Sequence, residues 1–305
     1  MTVISPPGDN STGRRQRAGL GWPGLRLRVR APRPVVIVAA AIPLLIVVLG
    51  FILPAITGYS PTAFVAAPLQ APSWAHPFGT DQFGRDIFVR AFVASHIDYL
   101  VAVVGVGVSS IVGSMIGVAV AATRARWVDW AVMRVVDAVI AFPFIVLALA
   151  FVVVFGPSAS FLGLPQGMPA LFAAFLLVGW AYYARLARSQ AISLRSRDFV
   201  TSARLMGYSN TRISLRHVMP IVMATTMAYA VGDAIVTVAL TASLSFLGAG
   251  IGPPAPEWGQ MMFDGRGLLQ IAWWMTLFPA LMLVVSGLCL AIIADHAVRR
   301  LEDRA

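Results

Sequence analysis

The sequence contains no lysine, only one cysteine and few charged residues of any kind. All 23 basic residues are arginines, which excludes sites that depend on a lysine amine, such as a phosphate-binding loop or a Schiff base. The single cysteine, Cys289, excludes an intrachain disulfide, and its place in an apolar run predicts a small core or lipid-facing side chain. Charged residues make up 12% of the chain and hydrophobic residues 58%. Because a soluble domain carries about twice that charged fraction, the composition predicts an integral membrane protein.

Six apolar runs are long enough to cross a bilayer as helices, since about 20 residues span roughly 30 Å of hydrocarbon. They are residues 35–57, 98–122, 128–155, 168–186, 218–242 and 271–294. The third run is the least apolar, because Arg134 and Asp137 lie near its start. It also contains Pro143, and we expect neighbouring groups to satisfy the carbonyl that this proline frees. The runs predict an all-α protein with six transmembrane helices.

The arginines are concentrated in the segments that six spans place on one side of the membrane. Seven lie in 1–34, two in 123–127, seven in 185–217 and three after residue 294, whereas the opposite side carries only Arg85, Arg90 and Arg266. Arginine-rich segments normally remain in the cytoplasm, so both termini are predicted to be cytoplasmic. The net charge of +10 is explained by this topology, and no nucleic-acid partner is expected.

These boundaries predict the organisation of the whole chain. The predicted segments are a disordered basic cytoplasmic tail (1–34), a first transmembrane helix (35–57), an extracytoplasmic segment (58–97), a core of five transmembrane helices (98–294) that contains a cytoplasmic loop (187–217), and a second cytoplasmic tail (295–305). Small residues recur every four positions on the second helix, at Gly105, Ser109, Gly113, Gly117 and Ala121. Such a stripe favours close helix packing, either inside this subunit or in a dimer.

The sequence shows no pattern of an active site. There is no phosphate-loop, zinc-protease or nucleophile-elbow motif, and the four histidines are scattered without metal-ligand spacing. We therefore expect no catalytic residue and no metal site. Two acidic residues lie inside predicted spans, Asp137 and Asp233, and both are candidates for a polar pathway. Asp137 can instead pair with Arg134 three residues earlier, and Asp233 can instead form a hydrogen bond to another helix.

The polar stretch 197–220 lies between the fourth and fifth apolar runs and has the pattern of two short helices. The apolar face of the first helix comprises Phe199, Val200, Ala203 and Met206. Gly207 stands where a left-handed residue would end that helix, and Ser209 or Asn210 can cap a second helix running toward Pro220. The pattern is compatible with a compact knuckle in the cytoplasm and with an amphipathic segment on the membrane surface.

The same stretch resembles the cytoplasmic signature loop of ATP-binding-cassette importer permeases, Glu-Ala-Ala-x3-Gly-x9-Ile-x-Leu-Pro. Here Thr201-Ser202-Ala203 precedes Gly207 and His217-Val218-Met219-Pro220 at the family spacing, with Thr201 in place of the glutamate. Three further stretches resemble the oligopeptide and dipeptide permease subfamily, in particular its C-type subunit. They are "HPFGTDQFGRDIFVR" (76–90), "GWAYYARLARSQAISLRSRDFV" (179–200) and "SLSFLGAGIGPPAPEWGQMM" (243–262).

The resemblance implies the type I importer permease fold, in a multi-pass protein of a bacterial inner membrane. It also implies a second, B-type permease subunit, two ATPase subunits or domains, and an extracytoplasmic substrate-binding protein. ATP and Mg would bind to those partner subunits, with no cofactor on this chain. The residues that the resemblance assigns to ATPase coupling are Phe199, Val200, Thr201, Ser202, Ala203, Met206, Gly207 and Pro220. Among these, Phe199, Ala203 and Met206 are expected to face the ATPase.

The two extracytoplasmic stretches are expected to form a gate or a docking surface for the binding protein. The residues assigned to it are Gly79, Thr80, Asp81, Gly84, Arg85, Asp86, Pro254, Trp258 and Gly259. Asp81, Arg85 and Asp86 can form local ion pairs that stiffen an elbow, and Trp258 can anchor its segment at the membrane interface. The glycines and prolines of 248–256 exclude a regular helix there, and a structured re-entrant loop is a compatible interpretation.

The function that follows is that of a permease subunit in an ATP-dependent peptide importer. Within the same subfamily, the alternative is a permease for nickel or another small solute. From a different class, a stand-alone ion-coupled carrier or channel would use Asp137 and Asp233 as an ion relay. A membrane-embedded enzyme would need a nucleophile or a metal cluster, and the sequence contains neither pattern.

Overall fold

The computed structural model of the protein describes residues 33–156 and 163–302. Most of the predicted basic tail 1–34, and residues 157–162 of the loop after the third span, lie outside this description. In chain order the helices are α1 (Arg33–Thr57), α2 (Ile87–Ala122), α3 (Arg126–Ala141), α4 (Phe144–Phe155), α5 (Met168–Leu194), α6 (Asp198–Leu205), α7 (Asn210–Ile213), α8 (Met219–Phe246), α9 (Trp258–Gly265) and α10 (Trp274–Glu302). A π-helical turn (Ser214–Val218) joins α7 to α8, and a 3-10 turn (Arg266–Leu268) follows α9. No strand occurs within these ranges, so the predicted all-α class is confirmed.

Five helices are long and apolar enough to cross a membrane: α1, α2, α5, α10 and the continuous helix Asn210–Phe246. The pair α3 and α4 makes a sixth span if it is counted as one broken element, and the two helices meet at 86°. The segment predicted as the third span, 128–155, therefore consists of two helices, and the prediction that Pro143 lies inside a helix is wrong. Pro143 has no amide hydrogen, and the residue before it, Phe142, is extended, so the helix stops and α4 starts anew after the proline.

Helix α2 begins at Ile87, well before the predicted start at residue 98. Asp86 caps it by accepting a hydrogen bond from the Val89 amide at 2.8 Å. With 36 residues the helix is about 54 Å long, which exceeds the thickness of the hydrocarbon layer. Residues 87–97, about the last quarter of the predicted extracytoplasmic segment 58–97, are thus the first part of α2.

The stripe of small residues on α2 packs against α5 within this chain. A Cβ atom added at Gly113 would lie 2.3 Å from the Trp180 carbonyl oxygen, and one added at Gly117 would lie 2.4 Å from that of Ala184. The structure therefore confirms close packing inside the subunit, where larger side chains would force the two backbones apart. Cys289 is buried on α10, as a small core side chain.

Candidate functional site

The polar loop between α5 and α8 folds as a short helix, a glycine turn and a second helix, as predicted. Gly207 has a positive φ of 80° and follows the end of α6. Its amide donates to the Arg204 carbonyl oxygen at 2.9 Å, and the Tyr208 amide donates to that of Ala203 at 3.1 Å. These two bonds form a Schellman motif, which needs a left-handed residue at the position of Gly207. Ser209 then caps α7 by accepting from the Arg212 amide.

The apolar residues of α6 do not all point in one direction. Val200 and Ala203 are buried inside the chain, in a cluster with Ala191 of α5, Ile213 of α7 and Val222 of α8. The prediction that Ala203 faces a partner is therefore wrong, because the apolar stripe of an amphipathic helix first covers its own core. The exposed apolar side chains are Phe199 (39%), Met206 (66%) and Leu205 (84%), and Thr201 and Ser202 are exposed beside them.

Leu205 was missed from the sequence because it falls outside the predicted apolar face. A leucine on the polar face of a short amphipathic helix is the signal that could have identified it. An apolar side chain that stays this exposed is suited to contact a partner or a membrane.

The second helix of the loop does not end before Pro220. Helix α7 continues through the π turn into α8, and the Met219 amide donates to the carbonyl oxygen of Ser214, five residues earlier. Pro220 falls in the first turn of α8, where its missing amide hydrogen is tolerated. The loop and the fifth predicted span are consequently one continuous helix of 37 residues, Asn210–Phe246.

At the opposite end of the molecule, residues 58–86 form a tight elbow. One oxygen of Asp81 accepts from the Phe83 and Arg85 amides at 2.8 and 2.9 Å, and the other accepts from Arg85 Nε at 2.5 Å. The predicted Asp81–Arg85 ion pair is confirmed. Asp86 does not join it, because its carboxylate instead contacts His76 Nδ1 at 2.7 Å and caps α2.

The elbow is attached to α2 and α9 by buried charges. Arg90 of α2 is 2% exposed, donates to the Pro61 carbonyl oxygen at 2.6 Å, and has its Nε 3.8 Å from Asp81. Arg85 Nη2 lies 3.8 Å from Asp264 of α9. Burial raises the pKa of the Asp264 carboxyl, although a hydrogen bond from Gln260 and the nearby arginines oppose the shift. The four charges balance, so the elbow is held in one position relative to the helices.

Trp258 is a core residue and not an interface anchor, contrary to the prediction. It is fully buried, and its indole Nε1 donates to the Ala91 carbonyl oxygen of α2 at 2.8 Å. Glu257 caps α9 by accepting from the Gly259 and Gln260 amides at 2.8 and 2.7 Å, and burial raises the pKa of its carboxyl. Gly259 packs so closely on α8 that an added Cβ would lie 2.3 Å from the Ala242 carbonyl oxygen.

The residues predicted for the outer gate are thus mostly internal. Of that set Pro254 is exposed, whereas Gly79, Thr80, Asp81, Gly84, Arg85, Asp86, Trp258 and Gly259 are buried. Three exposed aromatic side chains of the elbow were not selected by the sequence interpretation. They are Phe64 (72%), Trp74 (104%) and Phe83 (50%), with the rings of Phe64 and Phe83 6.2 Å apart. The predicted residues of 79–86 therefore build the elbow, and these aromatics form part of its surface.

A cavity of about 520 Å³ lies between α4, α5 and α8, in the membrane-spanning part of the molecule. Asp233 of α8 faces this cavity and accepts a hydrogen bond of 2.6 Å from the hydroxyl of Tyr183 on α5. The cavity wall is otherwise mostly apolar and aromatic. Asp233 combines the two predicted possibilities, since it lines a cavity and also bonds to a neighbouring helix.

Asp137 does not belong to the same cavity. Its carboxylate pairs with Arg185 of α5, and both side chains are about half exposed. The predicted pair with Arg134 is wrong, because the Arg134 guanidinium lies over the Trp130 ring, 5.7 Å from its centre. The two candidate pathway residues are therefore separated. Residues 33–156 and 163–302 also contain no group of three or more His, Cys, Asp or Glu side chains that could hold a metal ion.

A bundle of long apolar helices that carries a helix–turn–helix loop on one side and a cavity between its spans is compatible with a membrane transport subunit. Residues 113–303 match the family described as binding-protein-dependent transport system inner membrane component, and the chain belongs to this family. The resemblance to importer permeases seen in the sequence is confirmed.

Curated relatives cover most of the chain. It is 38% identical over 226 residues to the dipeptide transport system permease protein of Alkalihalophilus pseudofirmus, which covers 72% of this chain and 69% of the relative. It is 37% identical over 266 residues to a Brucella suis protein provisionally named as a peptide transport system permease, covering 86% of this chain and 85% of the relative. A provisionally named peptide permease of Brucella ovis is 34% identical over 238 residues, or 77% and 76% of the two chains.

Proposed function

We propose that the protein is one of two permease subunits of an ATP-dependent peptide importer in a bacterial inner membrane. The observation that carries this function is the continuous helix Asn210–Phe246, which begins in the loop and lines the cavity with Asp233. A helix of that length covers about 55 Å, so it connects one surface of the molecule with the middle of the membrane. The names of the relatives support peptides as the cargo.

The loop is the site where an ATPase subunit acts on this chain. Phe199, Leu205 and Met206 present apolar surface to a groove on the ATPase, flanked by Thr201 and Ser202. Val200 and Ala203 hold α6 on the core of its own chain. A displacement of the loop is therefore transmitted to the helices that line the cavity. The two ATPase subunits bind ATP and Mg²⁺, and their closure favours one of two arrangements of the spans.

The arginine-rich side carries this loop and faces the cytoplasm with both termini. On the other side, the exposed side chains of Phe64, Trp74, Phe83 and Pro254 contact the substrate-binding protein. A second, B-type permease closes the open side of the cavity and completes the pathway. This chain supplies no catalytic residue and binds no cofactor, and nucleic acid is not a partner.

Reconstitution of the four-component importer tests this function. The chain is produced with its genomic neighbours (a second permease and the ATPases), placed in vesicles that contain ATP, and supplied with the binding protein and a radiolabelled dipeptide. We expect peptide uptake that needs ATP hydrolysis. Uptake of Ni²⁺ in place of peptide would favour the small-solute permease. Uptake by vesicles that contain this chain alone, driven by an ion gradient, would contradict the proposal and favour a carrier.

A further inference from the structure

Asp233 is an acidic side chain placed at the middle of a membrane-spanning helix. It is the fifteenth residue of the 28 in α8, so it lies about 20 Å from either end of that helix. It is exposed toward the cavity, and among the described residues the hydroxyl of Tyr183 is its hydrogen-bonding partner. No arginine or histidine is found among the described residues that line the cavity. A carboxylate at this depth without a cation has an unfavourable free energy of desolvation. A cation that enters the cavity from outside would reduce it.

The groups around Asp233 fit a small cation that carries hydrogen-bond donors. Tyr182 and Tyr229 line the same cavity and are 52% and 46% exposed, so their ring faces are accessible. Aromatic faces attract ammonium groups, and the hydroxyl of Thr237 adds a polar contact on the same helix as Asp233. Tyr183 is 3% exposed and holds the carboxylate in place from α5. The volume of about 520 Å³ lies in the range of small-molecule sites.

We propose that Asp233 and the surrounding tyrosines form a subsite for the protonated amine of the transported molecule as it crosses the membrane. The proposal rests on the proposed function and names the chemical class of the cargo, a primary ammonium compound. The Asp233 carboxylate accepts hydrogen bonds from the ammonium group, and the rings of Tyr182 and Tyr229 cover that group. The apolar remainder of the cavity holds the rest of the transported molecule. A peptide offers such an amine at its amino terminus, and a lysine-containing peptide offers a second one.

The two sources of the amine are distinguished by the choice of cargo. Uptake of radiolabelled Ala-Ala and Ala-Lys is measured in vesicles that contain the complete importer, together with the ATP hydrolysed. For Asp233→Asn we expect peptides transported per ATP to fall about tenfold, the effect of one lost hydrogen bond to a charged group. An equal loss for both peptides assigns the subsite to the amino terminus, and a loss confined to Ala-Lys assigns it to the side-chain amine.

Three companion variants separate charge from structure. Asp233→Glu keeps the charge and is expected to retain most of the uptake. Tyr183→Phe removes the hydrogen bond that positions the carboxylate but keeps the charge, so uptake should fall by less than in Asp233→Asn. Asp137→Asn makes the same acid-to-amide change at a residue outside the cavity, and it should leave uptake of both peptides unchanged.

Two results would overturn the inference while leaving the proposed function intact. The first is wild-type uptake of both peptides by Asp233→Asn. The second is an equal loss of uptake in Asp233→Asn and Tyr183→Phe, which would indicate that the hydrogen bond between the two residues is purely structural. If Asp233→Asn fails to assemble, the test passes to Asp233→Glu, and a tenfold loss of uptake in that variant overturns the inference. A wild-type complex that imports neither peptide overturns the proposed function, and this inference with it.

Discussion

The elbow and the loop lie at opposite ends of the molecule and are built in opposite ways. In the elbow, charged side chains are internal: Asp81, Arg85 and Arg90 are each 5% exposed or less and satisfy one another. In the loop the arginines are mostly at the surface and apolar side chains are exposed beside them. The elbow is therefore rigid through its own contacts, whereas the loop has a surface that its own chain leaves uncovered.

The glycines of the two regions show the same contrast. Gly84 of the elbow and Gly207 of the loop both have positive φ angles, 77° and 80°. A Cβ atom added at Gly84 would lie 2.1 Å from the Ala66 carbonyl oxygen, whereas one added at Gly207 would meet nothing within 4 Å. The elbow glycine is required by both space and backbone conformation, and the loop glycine by conformation alone.

The largest effect is expected from breaking the charge cluster of the elbow. Asp81→Ala leaves Arg85 and Arg90 buried without their main partner, and the loss of one member of a buried pair costs about 3–5 kcal/mol. We expect little folded protein in membranes and a strongly lowered Tm of what can be purified. A variant with wild-type Tm would show that the buried charges do not hold the elbow.

A smaller but more selective effect is expected in α6, where two apolar positions have opposite roles. Val200→Asp places a carboxylate in the core under the loop and should lower stability by about 3 kcal/mol. Leu205→Glu alters only an exposed side chain, so its Tm should stay unchanged while ATPase subunits no longer co-purify and uptake is lost. Measuring the Tm and the co-purification of ATPase subunits for both variants tests whether Val200 serves stability and Leu205 serves ATPase binding. Retained ATPase binding by Leu205→Glu would contradict the proposed docking face.

Gly207 provides the next test. A β-branched residue at a left-handed position costs at least about 1–2 kcal/mol, so Gly207→Val should displace the turn and uncouple ATP hydrolysis from uptake in an assembled complex. Gly207→Asn is the matched control, because asparagine tolerates that backbone conformation. Normal transport by a stably assembled Gly207→Val complex would count against the loop as the coupling element.

The smallest effect is expected from an exposed ion pair near the end of α10. Asp295 contacts Arg299 four residues later, and both side chains are partly exposed. Asp295→Ala should change stability by no more than about 1 kcal/mol, since water and salt screen such pairs. Comparing the Tm of Asp295→Ala with that of Asp81→Ala measures how much burial increases the contribution of an ion pair to stability in this protein.

The spans and the loop could be predicted from the sequence because each depends on local chemistry. Runs of apolar residues report the spans directly, and a glycine between two short amphipathic stretches reports the turn at Gly207. The start of α2 was not predictable from hydropathy, since Arg90 and His96 lower the average of its first turns even though their partners lie on other elements. The core position of Trp258 likewise depends on a neighbour that is distant in sequence, because its indole donates to the Ala91 carbonyl oxygen of α2.

The same limit explains the errors in assigning side chains. Ala203 and Leu205 differ by two positions, and only the packing of α6 on α2, α5 and α8 decides that the alanine is covered and the leucine is not. Asp137 finds Arg185 across a helix interface and not the closer Arg134. Local spacing identifies which residues can meet, while the three-dimensional arrangement determines which of them do.

The continuous helix Asn210–Phe246 has a geometric consequence for how motion is amplified. The π turn and Pro220 do not break the helix, so it can act as a stiff lever on the helices packed against it, α2 and α10. Over about 55 Å, a tilt of about 6° shifts one end relative to the other by about 6 Å, close to one helical turn. For a pivot at mid-length each end moves about 3 Å, and the two ends move in opposite directions. Inward pressure on one membrane face would then become outward movement at the other.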